Sequence, residues 1–389
     1  MTGPCVMLVA TEPSGDALGA GLAVAMRQRL GEGVRFVGVG GAAMAVQGVV
    51  SPFDIRPLGI VGVFEAARAW PLVLRRARET AALAARERPD AAILIDAWGF
   101  TLRVAHRLRR LDPHLAVIKY VAPQVWATRP GRARTLARAV DRLLTIHAFD
   151  APYFQAEGLP VTFVGNPALE RDFSNADPAR LRAAIGAAPE DPLLLVLPGS
   201  RQGEIDRMLA LFGRAVEILA SERPSLRIVV AAADAVAAEV ERRVAGWSRR
   251  AWVVRGETAR LDAMRAATAA LACSGTVTTE LALAGCPMVV AYRLDPLTHA
   301  VAKRLIRTPY ITLLNVAARA FVAPELVQGD CKGPALAREI GRLLDDPTRR
   351  GRQVAAQNGA LHIMRGGISD PTGRAAEAVI KELRKRGRI

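Results

Sequence analysis

A turn of small polar residues, Ser274, Gly275 and Thr276, is the part of this chain best suited to chemistry. It follows the apolar run 269–273, which predicts a buried strand, and it precedes a helix-like run. The start of a helix carries unpaired amide groups and the positive end of the helix dipole, so this turn can seat a diphosphate. Glu280 lies on the same helix face as Thr276, where its carboxylate could accept hydrogen bonds from ribose hydroxyls. The pattern indicates a nucleotide site, although an ordinary capped helix behind a buried strand would show it too.

A second turn of this kind, Pro198-Gly199-Ser200-Arg201, follows the apolar run 193–197. A Pro-Gly turn exposes backbone amides, and Arg201 can bind a phosphate through two hydrogen bonds. The turn is not a P-loop, because the Gly-Lys-Ser/Thr ending is absent. We predict that both turns meet at one sheet edge around the same anion. Arg201 would then also act in catalysis, by stabilising the charge that develops on a departing diphosphate.

Asp96 ends the strongly apolar run 91–95 in the first half of the chain. A partly buried carboxylate at the carboxyl end of a strand is a candidate general base. Capping of a helix that starts near Thr101 would explain the same residue equally well.

The loop at residues 11–16 follows the first apolar run and opens a helix. Ser14, Gly15 and Asp16 are small or polar and suit hydroxyls or an anion, so we predict that they contact an acceptor. Ser14 or Asp16 could instead cap the following helix. Capping does not explain Glu12, which we take as a second catalytic candidate.

Two further stretches could contact ligands. Residues 123–129 follow a later apolar run and could line a cleft, with Trp126 as the candidate acceptor contact and Arg129 as a cation. Residues 56–78 place apolar side chains beside basic ones, which suits an acyl-chain pocket or an interfacial helix, with a core helix as the main alternative. The candidate membrane or acyl-chain contacts are Ile60, Val63, Phe64, Trp70, Leu72, Arg75 and Arg76.

Short apolar runs alternate with longer amphipathic stretches along the chain, which is typical of parallel sheets covered by helices. Strands are predicted at residues 6–11, 35–40, 91–96, 117–122, 142–147, 161–165, 193–198, 227–232, 251–255, 269–274 and 288–292, and helices at 19–30, 102–111 and 205–223. The rhythm occurs twice, on either side of a polar joint at 165–192. We therefore predict an α/β protein with two doubly wound domains and a cleft between them. Ligands of such sheets bind at the carboxyl ends of the strands, where the turns described above lie.

Composition limits the partners and the location. The chain has 389 residues, 51% of them hydrophobic, and a formal net charge of +16, which favours acidic partners such as phosphorylated substrates, anionic lipid or nucleic acid. An aromatic content of 5% argues against base-stacking platforms. No metal-ligand spacing is visible, so we predict buried free thiols in a reducing compartment at Cys5, Cys273, Cys286 and Cys331. With neither a signal peptide nor a membrane-spanning run, the expected location is cytoplasmic.

Motifs spread in order over most of the chain resemble those of lipid-A-disaccharide synthases. They are residues 12–20, 36–41, 95–96, 125–127, 197–201, 274–276 with Glu280, 286–293, 302–305 and 324–328. The resemblance implies a GT-B-type fold of two Rossmann-like domains with a cleft between them. We expect an acceptor- and lipid-binding domain at residues 1–168, a UDP-sugar-binding domain at 169–370, and a C-terminal helix at 371–389 that can pack back on the first domain.

The same resemblance implies an inverting glycosyltransferase that needs no metal or other cofactor. The implied substrates are UDP-2,3-diacylglucosamine and 2,3-diacylglucosamine 1-phosphate, which give a β-1,6-linked disaccharide and UDP. Asp96 matches the family's essential acidic position. The residues expected around UDP are Ser200, Arg201, Ser274, Gly275, Thr276, Glu280, Asn315 and Gln328. The resemblance further implies that the protein works at the anionic cytoplasmic face of the inner membrane and has no nucleic acid partner. A homodimer is left open.

The chain departs from the family pattern directly after Asp96. It reads Ala-Trp-Gly-Phe at residues 97–100, where many members carry a second acid at the position of Gly99. The work of a base therefore falls on Asp96, with Glu12 or Asp16 as candidate helpers.

Three other functions stay open at this point. One is another GT-B-type enzyme, such as a hexosamine epimerase or a transferase for a different lipid acceptor. The second is a basic nucleic-acid-binding module, which would bind DNA or RNA with a steep salt dependence. The third is a catalytically silent homologue. Product formation from the two sugar substrates distinguishes all three from the expected enzyme.

Overall fold

The structure is a computed structural model that describes residues 3–58, 63–128, 131–295, 299 and 308–389, without the side chains of 63–67. Ile60, Arg129 and the motif at 302–305 therefore lie outside the described residues. The chain forms two compact units. One comprises Met1–Pro167 with Gly366–Ile389, and the other comprises Ala168–Arg365.

Strands and helices alternate in the first unit. The strands are β1 (Cys5–Val9), β2 (Arg35–Val39), β3 (Ala91–Ile95), β4 (Ala116–Tyr120), β5 (Arg142–Thr145) and β6 (Val161–Phe163). The helices are α1 (Pro13–Leu30), α2 (Ala42–Val46), α3 (Val63–Glu87), α4 (Trp98–Leu111), α5 (Arg132–Ala137) and α6 (Ala151–Gln155). The strands pair in parallel in the order β2-β1-β3-β4-β5-β6. β1, β3 and β4 are buried along their whole length, because α3 and α4 cover one face of the sheet and α1 covers the other.

The second unit repeats the pattern. Its strands are β7 (Leu193–Leu197), β8 (Arg227–Ala231), β9 (Trp252–Val254), β10 (Ala269–Cys273), β11 (Met288–Tyr292) and β12 (Glu325–Val327). Its helices are α7 (Pro178–Ile185), α8 (Gln202–Glu222), α9 (Ala237–Val244), α10 (Glu257–Ala266), α11 (Val277–Leu283), α12 (Leu313–Ala318), α13 (Gly333–Asp345) and α14 (Pro347–Arg365). The strands pair in parallel in the order β12-β11-β10-β7-β8-β9.

The last helix, α15 (Pro371–Lys385), returns to the first unit. Its apolar face, which includes Ala376, Val379 and Leu383, is buried together with residues of α1 and of the strands of that unit. The first unit is therefore completed by the end of the chain.

The two doubly wound α/β domains predicted from the sequence are confirmed. Each predicted strand is present with its ends shifted by about two residues at most. The short strand β12 was not predicted, and α1 and α4 begin earlier than predicted, at Pro13 and Trp98. The four cysteines are buried free thiols, as predicted. Among the described residues, the helices lack the combination of length and apolar character needed to cross a bilayer.

Candidate functional site

Neighbouring strands of the first sheet bring several predicted residues to one edge. β1, β3, β4 and β5 are adjacent and parallel, so the loops after them start at the same carboxyl edge. The loops after β1, β3 and β4 carry the predicted residues Glu12, Asp96 and Trp126, and the loop after β5 carries His147, which was not a predicted site residue. The topology thus collects two carboxylates, an indole and an imidazole where ligands of such sheets bind.

Asp96 is half-buried and directly follows β3. Its N–H donates to the Tyr120 carbonyl at 2.9 Å, and the backbone then turns left-handed, with φ of +46° at Asp96 and +42° at Ala97. Val121, directly after β4, is left-handed too, with φ of +72°. A left-handed conformation costs a non-glycine residue about 1–2 kcal/mol. Such strain is concentrated at active sites, and its position here supports this edge as a functional one.

The interpretation of Asp96 as a helix cap is wrong. α4 begins at Trp98, its N-cap residue is Ala97, and no side chain caps it. The amides of Phe100 and Thr101 both donate to the Ala97 carbonyl at 3.0 Å. The backbone of Ala97 therefore starts the helix, and the Asp96 carboxylate is left for another role.

Lys119 lies beneath this turn and is absent from the sequence-based predictions. It belongs to β4 and is only 2% exposed. Its ammonium group donates to the Asp96 carbonyl and, at 3.0 Å, to Thr101 Oγ1. Burial lowers the pKa of Lys119 to about 7, and the nearby carboxylates of Asp96 and Glu12 act in the opposite direction. The only signal in the sequence is one charged residue inside an otherwise apolar strand.

The first loop places its predicted residues differently from one another. Glu12 is the half-buried N-cap residue of α1, and Ser14 is exposed in the first turn. Gly15 is buried, and a Cβ there would lie 3.3 Å from the Ala10 Cβ. Glycine therefore allows α1 to pack closely against the end of β1, which keeps Glu12 and Ser14 at the sheet edge.

Asp16 caps a different helix from the one the sequence suggested. Its carboxylate accepts hydrogen bonds from the amides of Gly41, Ala43 and Met44 at 2.7, 2.9 and 3.1 Å, at the start of α2. No side chain caps α1. A carboxylate held by three amides serves the fold, so we do not retain Asp16 as an acceptor contact.

A buried polar cluster surrounds Trp126. Its indole Nε1 donates to Asp150 Oδ1 at 2.9 Å, and Thr145 Oγ1 lies 2.7 Å from Asp150 Oδ2 and 3.0 Å from the His147 carbonyl. One hydroxyl hydrogen cannot serve both acceptors, but a protonated Asp150 can donate to Thr145 and resolve the conflict. In agreement, burial raises the pKa of Asp150 to about 7. The His147 ring stacks on Phe149 with centroids 5.0 Å apart, and burial lowers the pKa of His147 to about 4.

These two pKa values predict opposing effects of pH on stability. Asp150 binds its proton more tightly in the folded state, so its contribution is full below about pH 4 and is lost as the pH rises to about 7. His147 resists protonation in the folded state, so its contribution is full above about pH 6.5 and is lost as the pH falls to about 4. Asp150→Asn, which mimics the protonated acid, should therefore make stability rise more steeply with pH between 4 and 7 than in the wild type.

Unfolding by urea at several pH values in this window measures the slopes. His147→Gln is the matched opposite variant, and its stability should fall with pH relative to the wild type. Parallel curves for the wild type and Asp150→Asn would contradict the assignment.

In the second unit, the turn after β7 is fixed by a buried acid. Glu204 in the first turn of α8 accepts a hydrogen bond from the Ser200 amide at 2.9 Å and contacts Arg201 Nη1 at 3.2 Å. Gly199 has φ of +111°, and a Cβ there would lie 2.5 Å from Glu204 Oε2. The turn therefore requires glycine and holds the Arg201 backbone at the start of α8, while the Arg201 side chain stays 56% exposed.

The turn after β10 lies at the same edge, because β10 and β7 are neighbours. The Ser274 amide donates to the Ala291 carbonyl at 3.3 Å, and Thr278 Oγ1 donates to the Gly275 carbonyl at 2.8 Å. Thr276 is the N-cap residue of α11, without a side-chain cap. The two predicted anion-binding turns are thus adjacent, as the sequence predicted.

Glu280 lies in the first turn of α11 and is paired with two arginines. Its carboxylate oxygens contact Arg171 Nη1 and Arg260 Nη1, each at 2.5 Å. Arg171 also contacts Glu257. The carboxylate is held at the sheet edge by this network, and its role toward a ribose stays a prediction.

The last two predicted nucleotide contacts differ in access. Asn315 is 0% exposed, and its side-chain amide bonds both the N–H and the carbonyl of Ala323, at 3.0 and 2.9 Å. It therefore supports the loop before β12 and does not face a ligand. Gln328 directly follows β12, is half-buried and left-handed with φ of +51°, and its carbonyl lies 3.3 Å from Arg293 Nε. Arg293, a further cation at this edge, was not among the predicted site residues. Within the described ranges, no group of three His, Cys, Asp or Glu residues is arranged to hold a metal ion.

The candidate membrane residues lie on or before α3. Trp70 is 42% exposed and lies under the Arg103 guanidinium, 3.9 Å from the ring centroid, and Arg75 is exposed beside Glu79. Leu72 packs against the core of the unit, and Arg76 lies over Phe53. Val63 and Phe64 belong to α3, but their side chains are not among those that the structure describes.

Two α/β units, each built on a parallel sheet with polar turns at its carboxyl edge, define a GT-B-type fold. A solved structure of a putative UDP-N-acetylglucosamine 2-epimerase from Listeria monocytogenes matches it with a TM-score of 0.68 at 14% identity, covering 99% of this chain and 98% of that one. At this level of identity, the likeness shows the fold alone.

The family is shown by sequence. The family model described as lipid-A-disaccharide synthetase matches residues 6–379. The lipid-A-disaccharide synthase of Rhodospirillum centenum is 43% identical over 381 residues, which cover 98% of this chain and 95% of the relative. That of Paramagnetospirillum magneticum is 41% identical over 382 residues, covering 98% of both. The chain belongs to the lipid-A-disaccharide synthase family and is a glycosyltransferase, which confirms the resemblance drawn from its motifs.

Proposed function

We propose that the protein joins UDP-2,3-diacylglucosamine to 2,3-diacylglucosamine 1-phosphate, forming the β-1,6-linked lipid A disaccharide and UDP. Family membership over nearly the whole chain is the observation that carries this proposal. The first unit would bind the acceptor, and the second would bind the UDP-sugar.

Asp96 is the proposed base. The acceptor 6-hydroxyl oxygen attacks C1 of the donor sugar, the bond from C1 to the diphosphate oxygen breaks, and its electron pair leaves with UDP. The proton of the hydroxyl passes to the Asp96 carboxylate. Attack from the face opposite to the leaving group inverts the anomeric centre. The left-handed turn at Asp96 supports this role, and so does the finding that the Asp96 carboxylate does not cap α4. Glu12 is the other predicted acid at this edge.

The second unit would stabilise the negative charge that develops on the departing diphosphate. Ser200 and Arg201 follow β7, and Ser274 with the amides of Gly275 and Thr276 follows the neighbouring β10. Preorganised amides and a guanidinium stabilise developing negative charge. Glu280 and Gln328, at the same sheet edge, are the proposed contacts of the nucleoside.

The decisive experiment supplies the purified protein with both sugar substrates. We expect one disaccharide and one UDP per turnover, with a β-1,6 linkage seen by NMR. Conversion of the UDP-sugar in the absence of acceptor would instead identify an epimerase. Binding without any turnover would identify a silent homologue, and either result would overturn the proposal.

We also propose that the protein acts at the anionic cytoplasmic face of the inner membrane, through α3. Trp70 and Arg75 are exposed on this helix, and an aromatic ring beside cations suits the headgroup region. The double variant Trp70→Ser/Arg75→Ser should float less with vesicles that contain anionic phospholipid. Leu72 is left unchanged because it packs in the core.

The matched control for flotation is Ile363→Ser/Arg214→Ser, which removes an exposed apolar residue and an exposed cation from the second unit. It should float like the wild type. Equal flotation of the α3 variant and the wild type would refute the contact.

A further inference from the structure

Lys119 places a positive charge where the fold alone has no need of one. An ammonium group removed from water is costly unless charges or hydrogen bonds compensate for it. This one also contacts the first turn of α4, where the helix dipole is positive and disfavours a cation. Replacement of a whole buried ion pair by apolar residues of similar volume is often neutral or stabilising. A residue chosen for stability alone would thus be apolar, like Val117 two positions earlier on the same strand.

The contacts of Lys119 converge on the turn that carries Asp96. The Asp96 carbonyl accepts from the ammonium and lies 2.8 Å from Thr101 Oγ1, which itself accepts from the ammonium. Thr101 Oγ1 also lies 3.0 Å from the Ala97 carbonyl. Lysine and threonine together therefore clamp both carbonyls of the left-handed pair.

Two acids at the same sheet edge balance the positive charge of the Lys119 ammonium group. The carboxylates of Asp96 and Glu12 interact with it electrostatically. A neutral side chain at position 119 would remove both the donor to the turn and the cation that attracts the two acids. The turn could then relax, and the carboxylates would repel one another without compensation.

We propose that Lys119 is a positioning residue for the transfer reaction, because its ammonium holds the Asp96–Ala97 turn and aims the Asp96 carboxylate at the acceptor hydroxyl. This rests on the proposed function, in which Asp96 is the base. Lys119 acts through Asp96 and does not itself touch the substrate.

The test compares Lys119→Met with the wild type in the disaccharide assay. Methionine keeps most of the length of the side chain and removes the charge. A misplacement of about 1 Å can cost about 10²-fold in rate, so we expect kcat per folded molecule to fall by about 10²-fold. KM for both substrates should stay near the wild-type value. Val117→Ala is the matched control, because it weakens the packing of the same face of β4 without touching the turn, and its kcat should be that of the wild type.

Thr101→Val provides a second test that keeps Lys119. It removes the hydroxyl of the clamp, and we expect a smaller fall in kcat, again without a change in KM. If Lys119→Met does not fold, this variant decides. Wild-type kcat in either folded variant would overturn the proposal, and so would a rise in KM at constant kcat. A wild-type protein that forms no disaccharide would overturn the proposed function itself, which separates the two failures.

Discussion

Asp96→Asn is expected to lower kcat by about 10²–10⁴-fold, the usual contribution of a general base. Asparagine keeps the size of the side chain but cannot accept the proton of the acceptor hydroxyl. Affinity for UDP should be nearly unchanged, because the proposed UDP contacts belong to the other compact unit. Steady-state kinetics and calorimetric titration with UDP measure the two quantities separately.

Asp112→Asn is the matched control for this variant. Asp112 lies just before β4, at the opposite edge of the same sheet, and its carboxylate accepts a hydrogen bond from the His114 amide at 2.8 Å. Its kcat should match the wild type. A near-normal kcat for Asp96→Asn would remove Asp96 as the base and leave Glu12 as the remaining candidate at this edge.

Gly99 occupies the position of the second acid of many family members, and the turn at Asp96 does not depend on a side chain there. A Cβ at Gly99 would meet nothing within 4 Å, so space does not explain why the chain has glycine where many family members carry an acid. Its carbonyl accepts a hydrogen bond from Arg103, within the first turns of α4. The geometry of the turn at Asp96 depends on Ala97, Thr101 and Lys119, and none of these contacts requires a side chain at position 99.

The sequence predicted most of the fold because apolar runs in a parallel sheet are nearly continuous. β3 and β10 are examples, with every residue buried. Once the strands are known, the residue after each strand lies at the carboxyl edge, so Asp96, Arg201 and Ser274 could be placed in advance. β12 escaped prediction because it has three residues, Glu325–Val327, and starts with a charged one.

What the sequence could not supply are contacts between distant residues. Asp16 caps a helix far along the chain, and its first contact there, Gly41, lies 25 residues away. The side-chain amide of Asn315 likewise hydrogen-bonds to the backbone of Ala323. A local pattern gives the donor or acceptor but not its partner. Lys119 shows the same limit, because a lysine in a strand usually indicates an exposed position, and only the sheet shows it buried under Asp96.

Arg201→Ala is the second substitution with a large expected effect. The variant should remove a phosphate contact and the contact of Arg201 with Glu204, while Gly199 and the hydrogen bond from the Ser200 amide to Glu204 keep the backbone of the turn. A hydrogen bond to a charged group contributes about 1.5–3 kcal/mol, which corresponds to a loss of about 10–10²-fold in UDP affinity. Turnover should fall as well, because the same contact stabilises the departing diphosphate.

Ligand truncation makes this prediction specific. If Arg201 binds the diphosphate, the variant should weaken UDP and leave the affinity for uridine nearly unchanged, because uridine lacks the phosphates. Arg214→Ala is the matched control, since Arg214 lies on the same helix, is exposed and pairs with Glu217 at 2.6 Å. Arg201→Lys should recover only part of the affinity, because an ammonium group cannot bind a phosphate through two parallel hydrogen bonds. Equal losses for uridine and UDP would assign Arg201 to the nucleoside or to the shape of the turn, and the charge of the leaving group would then fall to the amides and to Arg293.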